Sequence, residues 1–280
     1  MRIAKFTLCY NQYVQISIMS ASRLIFWLVN HRVVLPSMLM IAAFLFNSAA
    51  RADDAAKEGF TLIELYTSHG CSSCPAADEL LGNLINQDSD LIALEFHVDY
   101  WNSLVHGGNG SFTDPFSQAA FSQRQREYNA ASLKGRPGVY TPQAIINGRF
   151  AAVGSNSMHI TKALSRPAAQ ALKIDIVPTE DTRQLSIHVD GASEQKKTLA
   201  GVDVLLATYK KKAVTEITGG ENKGISLTNH HIVTNLHRLG EVREAGDITF
   251  TIDSPAATDG CVVFVQEDAL TPIYAAVACP

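Results

Sequence analysis

The sequence contains few cysteines, few charged residues and no excess of positive charge. Five cysteines in 280 residues are too few for a disulfide-rich scaffold, so the fold must depend on a hydrophobic core. The net charge at pH 7 is −4 and no basic stripe is present, which argues against nucleic acid as a partner. Apolar residues make up 46% of the chain and charged residues 18%, which excludes a disordered, collagen-like or coiled-coil protein.

The first 52 residues differ in composition from the rest. They contain five basic residues and no acidic one, so residues 53–280 carry 18 basic and 27 acidic side chains, a net charge of about −9. A basic pair at 31–32, an apolar run over 33–46 and a Ser-Ala-Ala-Arg-Ala segment at 48–52 form the pattern of a secretory signal peptide. We expect cleavage after Ala52 and no membrane attachment afterwards. The alternative is an uncleaved membrane anchor, for which the apolar run is short. Either interpretation places the mature protein outside the cytoplasm, in the periplasm or in the medium.

Two of the four cysteines after residue 52 form a C-x-x-C motif, Cys71-Ser-Ser-Cys74. The motif follows a β-rich run over 60–66 and precedes apolar residues spaced as on one helix face, at 77, 80, 81, 84 and 85. Pro75 fits the first turn of that helix. The helix N-terminus favours the thiolate form of Cys71, and Cys74 can then resolve a mixed disulfide. The motif indicates redox or thiol-metal chemistry. An inert disulfide or half of a zinc site are the alternatives.

The next segments extend this pattern. Alternating apolar residues over 91–99 predict a second strand. After a glycine-rich loop, Asp114-Pro115 matches the N-cap and first position of a helix, which we expect to run to about residue 132.

A hairpin and a further helix complete the first half of the chain. Asn147-Gly148 between two apolar runs predicts a β-hairpin. Residues 160–172 predict a weaker helix. The order β-α-β-α-β-β-α over 53–171 is that of a thioredoxin-like α/β fold with a helical insertion.

Two further positions matter for such a fold. Thr141-Pro142 stands at the start of a predicted strand, where proline removes a ladder donor. In a thioredoxin-like fold this proline is cis, packs against the C-x-x-C and exposes its neighbour's backbone to substrate. Glu64, on the first strand, is either a buried proton acceptor for Cys74 or a half-exposed strand carboxylate.

Several separated motifs resemble one known family. They are the stretches at 64–78, 96–101, 123–128 and 139–143, together with Gly-Glu-Asn-x-Gly at 220–224 and Asn-His-His at 229–231. The chain resembles, over about residues 58–275, the secreted bacterial family of unknown function 1223. The resemblance implies a thioredoxin-like fold and an exported protein, without a substrate. A cysteine pair near the C-terminus, Cys261 and Cys279, departs from the family pattern.

The second half, 172–280, is predicted to be a separate β-rich domain. Its apolar residues alternate with a period of two in five short segments, which predicts a small sandwich-like all-β domain. Cys261 and Cys279 flank a predicted hairpin whose loop is centred on Leu270, so they lie opposite each other. We expect a structural disulfide between them, worth about 2–3 kcal/mol.

Three functions fit these features. The first is an exported thiol–disulfide oxidoreductase that acts on protein thiols or disulfides without a cofactor, through Cys71 and Cys74, with the Thr141-Pro142 loop holding substrate. The second is a copper-binding chaperone whose ligands are Cys71, Cys74 and His69 or His97, because thiolates select Cu(I). The third is a non-catalytic binding module with a structural C-x-x-C.

Overall fold

The chain folds into a mixed α/β structure with one large and one small sheet. The computed structural model describes residues 59–104, 112–131, 133–181, 184–190, 202–242, 248–268 and 270–280. The predicted signal peptide lies outside these residues. Among the residues that are described, no helix is long and apolar enough to cross a membrane.

The first half alternates strands with helices. Its elements are β1 (Thr61–Thr67), α1 (Pro75–Gln87), β2 (Leu91–His97), α2 (Trp101–Leu104), α3 (Ala119–Ala130), β3 (Lys134–Gly135), β4 (Gln143–Ile146), β5 (Phe150–Val153) and α4 (Ser157–Leu164). Apart from the short elements α2 and β3, this is the predicted order. α4 ends earlier than the predicted helix over 160–172, because Pro167 disfavours helical backbone in the residue before it.

The second half adds seven strands. They are β6 (Lys173–Pro178), β7 (Gln184–Asp190), β8 (Val202–Glu216), β9 (Ser226–Val242), β10 (Ile248–Asp253), β11 (Asp259–Glu267) and β12 (Ile273–Ala278). Four of them join the strands of the first half in a nine-stranded sheet of order β12-β11-β8-β9-β2-β1-β4-β5-β3, and the rest form a small sheet of order β10-β7-β6. The strands of the second half therefore belong to two sheets. One of them continues the sheet of the first half, because β9 pairs in parallel with β2 at Glu95 and Ile232.

Three hydrophobic clusters hold these layers together. One side of β1 and β2 packs under α1 and α4, through residues such as Ile63 and Leu65. The small sheet packs on β8, β9, β11 and β12 through a second cluster. The third cluster joins the two halves of the chain, since Leu62 and Tyr128 share it with Phe264. Residues Lys57–Pro280 form one compact unit, and the predicted boundary between 171 and 172 falls inside it, between α4 and β6.

The large sheet curves around the third cluster. The turn between β4 and β5 contacts the turn between β11 and β12, although four strands separate β4 from β11 in the sheet. The Ile273 amide donates to the Asn147 carbonyl oxygen over 3.4 Å. At Gly148, whose φ is +62°, a Cβ would lie 3.1 Å from the Leu270 carbonyl oxygen, so the turn approaches closely only because this residue is glycine.

The helix predicted to begin at Asp114 begins at Ala119 instead. One oxygen of the Asp114 carboxylate accepts a hydrogen bond from the Phe116 amide and so closes a single turn. Gln118 is then extended and bridges to Val98, which interrupts any helix at this point. The prediction was wrong because a capping residue followed by proline also fits an isolated turn.

The C-terminal hairpin contains the predicted disulfide. β11 and β12 are antiparallel, Val262 stands opposite Ala278, and Cys261 and Cys279 form a disulfide with their Cα atoms 5.2 Å apart. The Cys279 amide also donates to the Cys261 carbonyl oxygen over 2.8 Å. The structure thus joins the two cysteines that the sequence places opposite each other across this hairpin.

Candidate functional site

The C-x-x-C lies where β1 ends and α1 begins. Cys71 and Cys74 form a disulfide with their Cα atoms 5.4 Å apart, and Cys74 is the N-cap residue of α1, with proline directly after it. The Cys74 carbonyl oxygen accepts the amide of Ala77 over 2.8 Å, which begins the helix. Both sulfur-bearing side chains are buried, Cys71 at 1% and Cys74 at 0% exposure, whereas Ser72 and Ser73 are exposed.

The loop between β8 and β9, residues 217–225, covers this motif. The Asn222 side-chain amide donates to two backbone oxygens of the motif's loop, those of His69 over 2.8 Å and Cys71 over 2.9 Å. The Glu221 carboxylate accepts the Ser72 amide over 3.0 Å, and hydrogen bonds from Ser72 lower the pKa of Glu221. These contacts account for part of the burial of Cys71.

Thr141 and Pro142 lie just before β4, and the peptide bond between them is cis. Pro142 comes close to α1 at Gly154, where a Cβ would lie 3.2 Å from both the Pro142 and Ala77 side chains and 2.5 Å from Leu65. A side chain at position 154 would therefore collide with Leu65, so β1, α1 and the Pro142 segment pack together here around a glycine. The Thr141 hydroxyl accepts a hydrogen bond from the Trp101 indole over 2.7 Å.

Glu64 is buried but lies on the other side of the sheet from α1. Arg124 of α3 donates to both of its carboxylate oxygens, over 2.7 and 3.1 Å, and the Tyr66 and Tyr128 hydroxyls also donate to it. Side chains alternate along β1, so Glu64 points away from Leu65, which packs under α1. Glu64 is therefore the acid of a buried ion pair.

A second group of polar side chains lies beneath the C-x-x-C. His69, His97 and Asp114 are buried, and their potential ligand atoms all lie within 4.8 Å of one another. His97 Nδ1 is 2.8 Å from Asp114 Oδ2, and His69 Nδ1 is 3.4 Å from Asp114 Oδ1. The His69 amide also donates to Asp114 Oδ2 over 2.8 Å. Asp114 thus holds both the ring of His97 and the backbone before the C-x-x-C.

The charges in this group are strongly coupled. Burial opposes protonation of His97, but the charge and hydrogen bond of Asp114 outweigh it and raise the pKa of His97 to about 10. Burial also opposes ionisation of Asp114, yet the charge and hydrogen bond of His97 lower the pKa of Asp114 to about 2. Burial lowers the pKa of His69. These shifts favour an ion pair of His97 and Asp114 beside an uncharged His69.

Three more buried side chains surround this group. Asn229 Oδ1 is 2.8 Å from His69 Nε2, and Glu95 Oε2 is 3.6 Å from His97 Nε2. Asp78, in the first turn of α1, accepts a hydrogen bond from the Thr67 hydroxyl over 2.7 Å. Burial, and then the charge of Glu95, raise the pKa of Asp78 well above its usual value.

The structure brings His69 and His97 together, but with Asp114 and not with a cysteine. Their rings are 4.9 Å apart, and among the described residues the donor group that holds them contains no thiol. The four donors of the copper hypothesis, Cys71, Cys74, His69 and His97, therefore do not all belong to that group.

Sequence reasoning missed Asp114, Asn222, Glu221, Asn229 and Asp78 as residues of the site. Asp114 was interpreted as a helix cap, and Asp78 is one of many acidic residues in helices. A signal was available for the others: Gly-Glu-Asn-x-Gly and Asn-His-His are among the motifs that resemble the family, and the structure places both against the C-x-x-C loop or its histidine.

Comparison with known proteins gives a family but no activity. The family model described as "Protein of unknown function (DUF1223)" matches residues 62–266. The chain belongs to this family. No curated protein matches the chain. The crystal structure of protein AGR_C_4864 from Agrobacterium tumefaciens is similar, with 25% identity, a TM-score of 0.60, and coverage of 80% of this chain and 96% of that chain. HBP35 of Porphyromonas gingivalis is similar in fold, with 13% identity, a TM-score of 0.52, and coverage of 79% of this chain and 74% of that chain.

Proposed function

We propose that this DUF1223 protein is an exported thiol–disulfide oxidoreductase, thioredoxin-like in its first half, that acts on protein thiols or disulfides. The observation that carries the proposal is the Cys71–Cys74 disulfide at the N-terminus of α1, with Cys74 as the N-cap residue. A helix N-terminus stabilises a thiolate there and makes the released cysteine a good leaving group. The order β2-β1-β4-β5 with α1 and α4 beside it, and the position of Pro142 near α1, support the thioredoxin-like part.

The exchange takes place in two steps. A substrate thiolate attacks Cys71 Sγ, a sulfur–sulfur bond forms between them, and the Cys71–Cys74 bond breaks to release the Cys74 thiolate. A second substrate thiolate then attacks the substrate sulfur of the mixed disulfide. The substrate leaves as a disulfide, and Cys71 and Cys74 remain reduced. The reverse sequence reduces a substrate disulfide.

Asp78 is better placed than Glu64 to exchange a proton with Cys74. Asp78 lies one turn after Cys74 in α1, is buried, and carries a carboxyl whose pKa burial raises. Glu64 is on the other face of the sheet and paired with Arg124. We assign to Asp78 the role of giving a proton to the Cys74 thiolate that the first step releases, and of taking it back in the reverse sequence.

Export is supported by the same features. The two disulfides require an oxidising compartment to persist, and the apolar run after a basic pair at 31–32 fits a signal peptide cleaved after Ala52.

Reduction of insulin and oxidative refolding of reduced ribonuclease test the proposal. We expect the wild type to accelerate at least one of the two reactions and Cys71→Ser to abolish that acceleration. The matched control is Cys261→Ser with Cys279→Ser, which removes the other disulfide and should keep the activity. Equal behaviour of wild type and Cys71→Ser in both assays would contradict the proposal.

The burial of Cys71 favours one other candidate, a binding module with an inert disulfide. Glutathione equilibration of the Cys71–Cys74 pair distinguishes the two. A catalytic pair reaches equilibrium quickly at neutral pH, whereas an inert one stays oxidised. Copper binding by reduced Cys71 and Cys74 with His69 or His97 is tested by Cu(I) titration of the reduced protein against Cys71→Ser.

A further inference from the structure

We propose that His69, His97 and Asp114 bind a divalent transition-metal cation of the zinc type, at a site separate from the C-x-x-C cysteines. The three residues come from different parts of the chain: the loop after β1, the end of β2 and the turn before α3. All three are buried. The proposal does not depend on the redox function.

The spacing of the donors suits a metal of this size. A tetrahedral ion with bonds of about 2.0–2.1 Å to nitrogen and oxygen has ligand atoms about 3.3 Å apart. His69 Nδ1 and Asp114 Oδ1 are 3.4 Å apart. His97 Nδ1 lies 2.8 Å from Asp114 Oδ2, which is a hydrogen-bond distance. A cation that binds to both atoms therefore displaces the proton that they share.

An unpartnered ring nitrogen points to the same site. His69 Nδ1 is buried and has no hydrogen-bond partner among the described residues. When His69 Nε2 donates to Asn229 Oδ1, the Nδ1 of the neutral ring carries a lone pair that faces a carboxylate oxygen, which is also an acceptor. Two buried acceptors facing each other are unfavourable, and an unsatisfied buried group costs about 1–3 kcal/mol. A cation between them satisfies both.

The surrounding residues are those that orient metal-binding histidines. A histidine ligand usually donates its other ring N–H to a carboxylate or a carbonyl oxygen. Asn229 Oδ1 is in that position for His69. Glu95 Oε2, which has no hydrogen-bond partner among the described residues, is in that position for His97, with its oxygen 3.6 Å from His97 Nε2. The carboxylates of Asp114 and Glu95 also balance the charge of a divalent cation.

The donor types limit the choice of metal. Two imidazoles and one carboxylate suit zinc and its neighbours, whereas Ca²⁺ and Mg²⁺ prefer oxygen ligands alone. Cys71 and Cys74 are joined in a disulfide and are outside the donor group, so Cu(I) chemistry by thiolates is a different proposal.

Zinc titration of the purified full chain tests this site. The protein, with its disulfides intact, is freed of metal by a chelator and dialysed against buffered Zn²⁺ long enough for a buried site to fill, and zinc content and Tm are then measured. We expect one bound Zn²⁺ per chain and a raised Tm, because a ligand that binds only the folded state stabilises it. His97→Ala should weaken binding more than about 100-fold and Asn229→Ala about 10–100-fold, the usual cost of losing an outer partner.

Control variants distinguish this site from zinc binding elsewhere in the chain. His159→Ala, which removes an exposed histidine on α4, and the double variant Cys71→Ser with Cys74→Ser should both bind Zn²⁺ as the wild type does. Because His97→Ala also breaks a buried ion pair and can unfold the chain, Co²⁺ bound to the wild type gives a second measurement, with visible bands but no thiolate charge-transfer band. Absence of Zn²⁺ binding by the wild type, its loss in the cysteine variant, or a thiolate band with Co²⁺ would each overturn the proposal.

Discussion

Asp78 is a buried acid that forms no salt bridge among the described residues. One carboxylate oxygen accepts the Thr67 hydroxyl, and the other has no partner among the residues described. Burial and then the nearby charge of Glu95 raise the pKa of Asp78 well above its usual 3.8. The folded chain therefore keeps a proton on Asp78 at pH values where the unfolded chain has released it.

This difference makes stability depend on pH with a definite sign. The contribution of Asp78 is complete below its unfolded pKa and is lost as the pH rises through its folded pKa. In Asp78→Asn, which cannot ionise, we expect the free energy of unfolding to fall less between pH 4 and pH 8, by up to about 1.4 kcal/mol per pH unit. Urea unfolding of the oxidised protein at several pH values measures this. Asp90→Asn, an exposed aspartate, is the control and should not change the slope. Equal slopes in wild type and Asp78→Asn would contradict the assignment.

The role of a residue was predictable where it depends on residues close to it in the sequence. The position of Cys71 and Cys74 between a strand and a helix was clear from periodicity and Pro75. The role of Glu64 was not, because its partner Arg124 is 60 residues away and only the packing of α3 on β1 brings them together. A carboxylate on a strand looks the same in sequence whether it faces an arginine or a cysteine.

At the scale of elements, we expect the loop between β8 and β9 to limit access to Cys71. Its backbone is tightly turned, with Gly220 and Gly224 at positive φ, and its side chains make three hydrogen bonds to the C-x-x-C loop. We expect that a thiol reaches the disulfide only when some of these contacts open, so that their strength sets the fraction of molecules that can react.

We expect Asn222→Ala to speed reduction of the Cys71–Cys74 disulfide by dithiothreitol roughly tenfold. Asn222 donates two buried hydrogen bonds, each worth about 0.5–1.5 kcal/mol, and about 1.4 kcal/mol corresponds to a factor of ten. The rate is followed by thiol alkylation and mass spectrometry of the 71–74 peptide. Lys223→Ala, at an exposed position of the same loop, should react as the wild type does. A rate unchanged by Asn222→Ala would show that this loop does not limit access.

Element positions were predictable in the first half more than in the second. Apolar periodicity located β1, α1, β2 and the β4–β5 hairpin, because the apolar residues of each element recur at the spacing of its buried face. β8 is far longer than the short strand predicted there, and its pairing with β9 shifts register between Val204 and Leu205 and between Thr208 and Tyr209. Such irregularities move side chains between faces and interrupt the alternation by which a strand is recognised in sequence.

At the scale of the whole molecule, the two halves share one sheet and one core. The cluster around Leu62 and Tyr128 includes Phe264 of β11, and Arg124 donates to Gln266 of the same strand over 2.8 Å. Sequence periodicity predicted strands in the second half. It could not show that they would extend the first sheet, because pairing between strands distant in sequence depends on which edges are available.

A chain that ends at residue 171 should therefore not fold cooperatively. It would lack the strands β8, β9, β11 and β12, which supply part of the shared cluster and the partner of β2. We expect weak near-ultraviolet circular dichroism, binding of a hydrophobic dye and no sharp thermal transition, against a cooperative transition for residues 53–280. A truncated chain that melts sharply near the Tm of the longer one would establish 53–171 as an independent domain.

The arrangement of the two disulfides also simplifies how the protein can be oxidised. The four cysteines of the described residues can pair in three ways, and each is joined to its neighbour along the sequence, at separations of 3 and 18 residues. An oxidant that acts on cysteines in the order in which they are synthesised would form the native pairs directly. We therefore expect that an electron acceptor is enough to form the native pairs, without an isomerase to correct them.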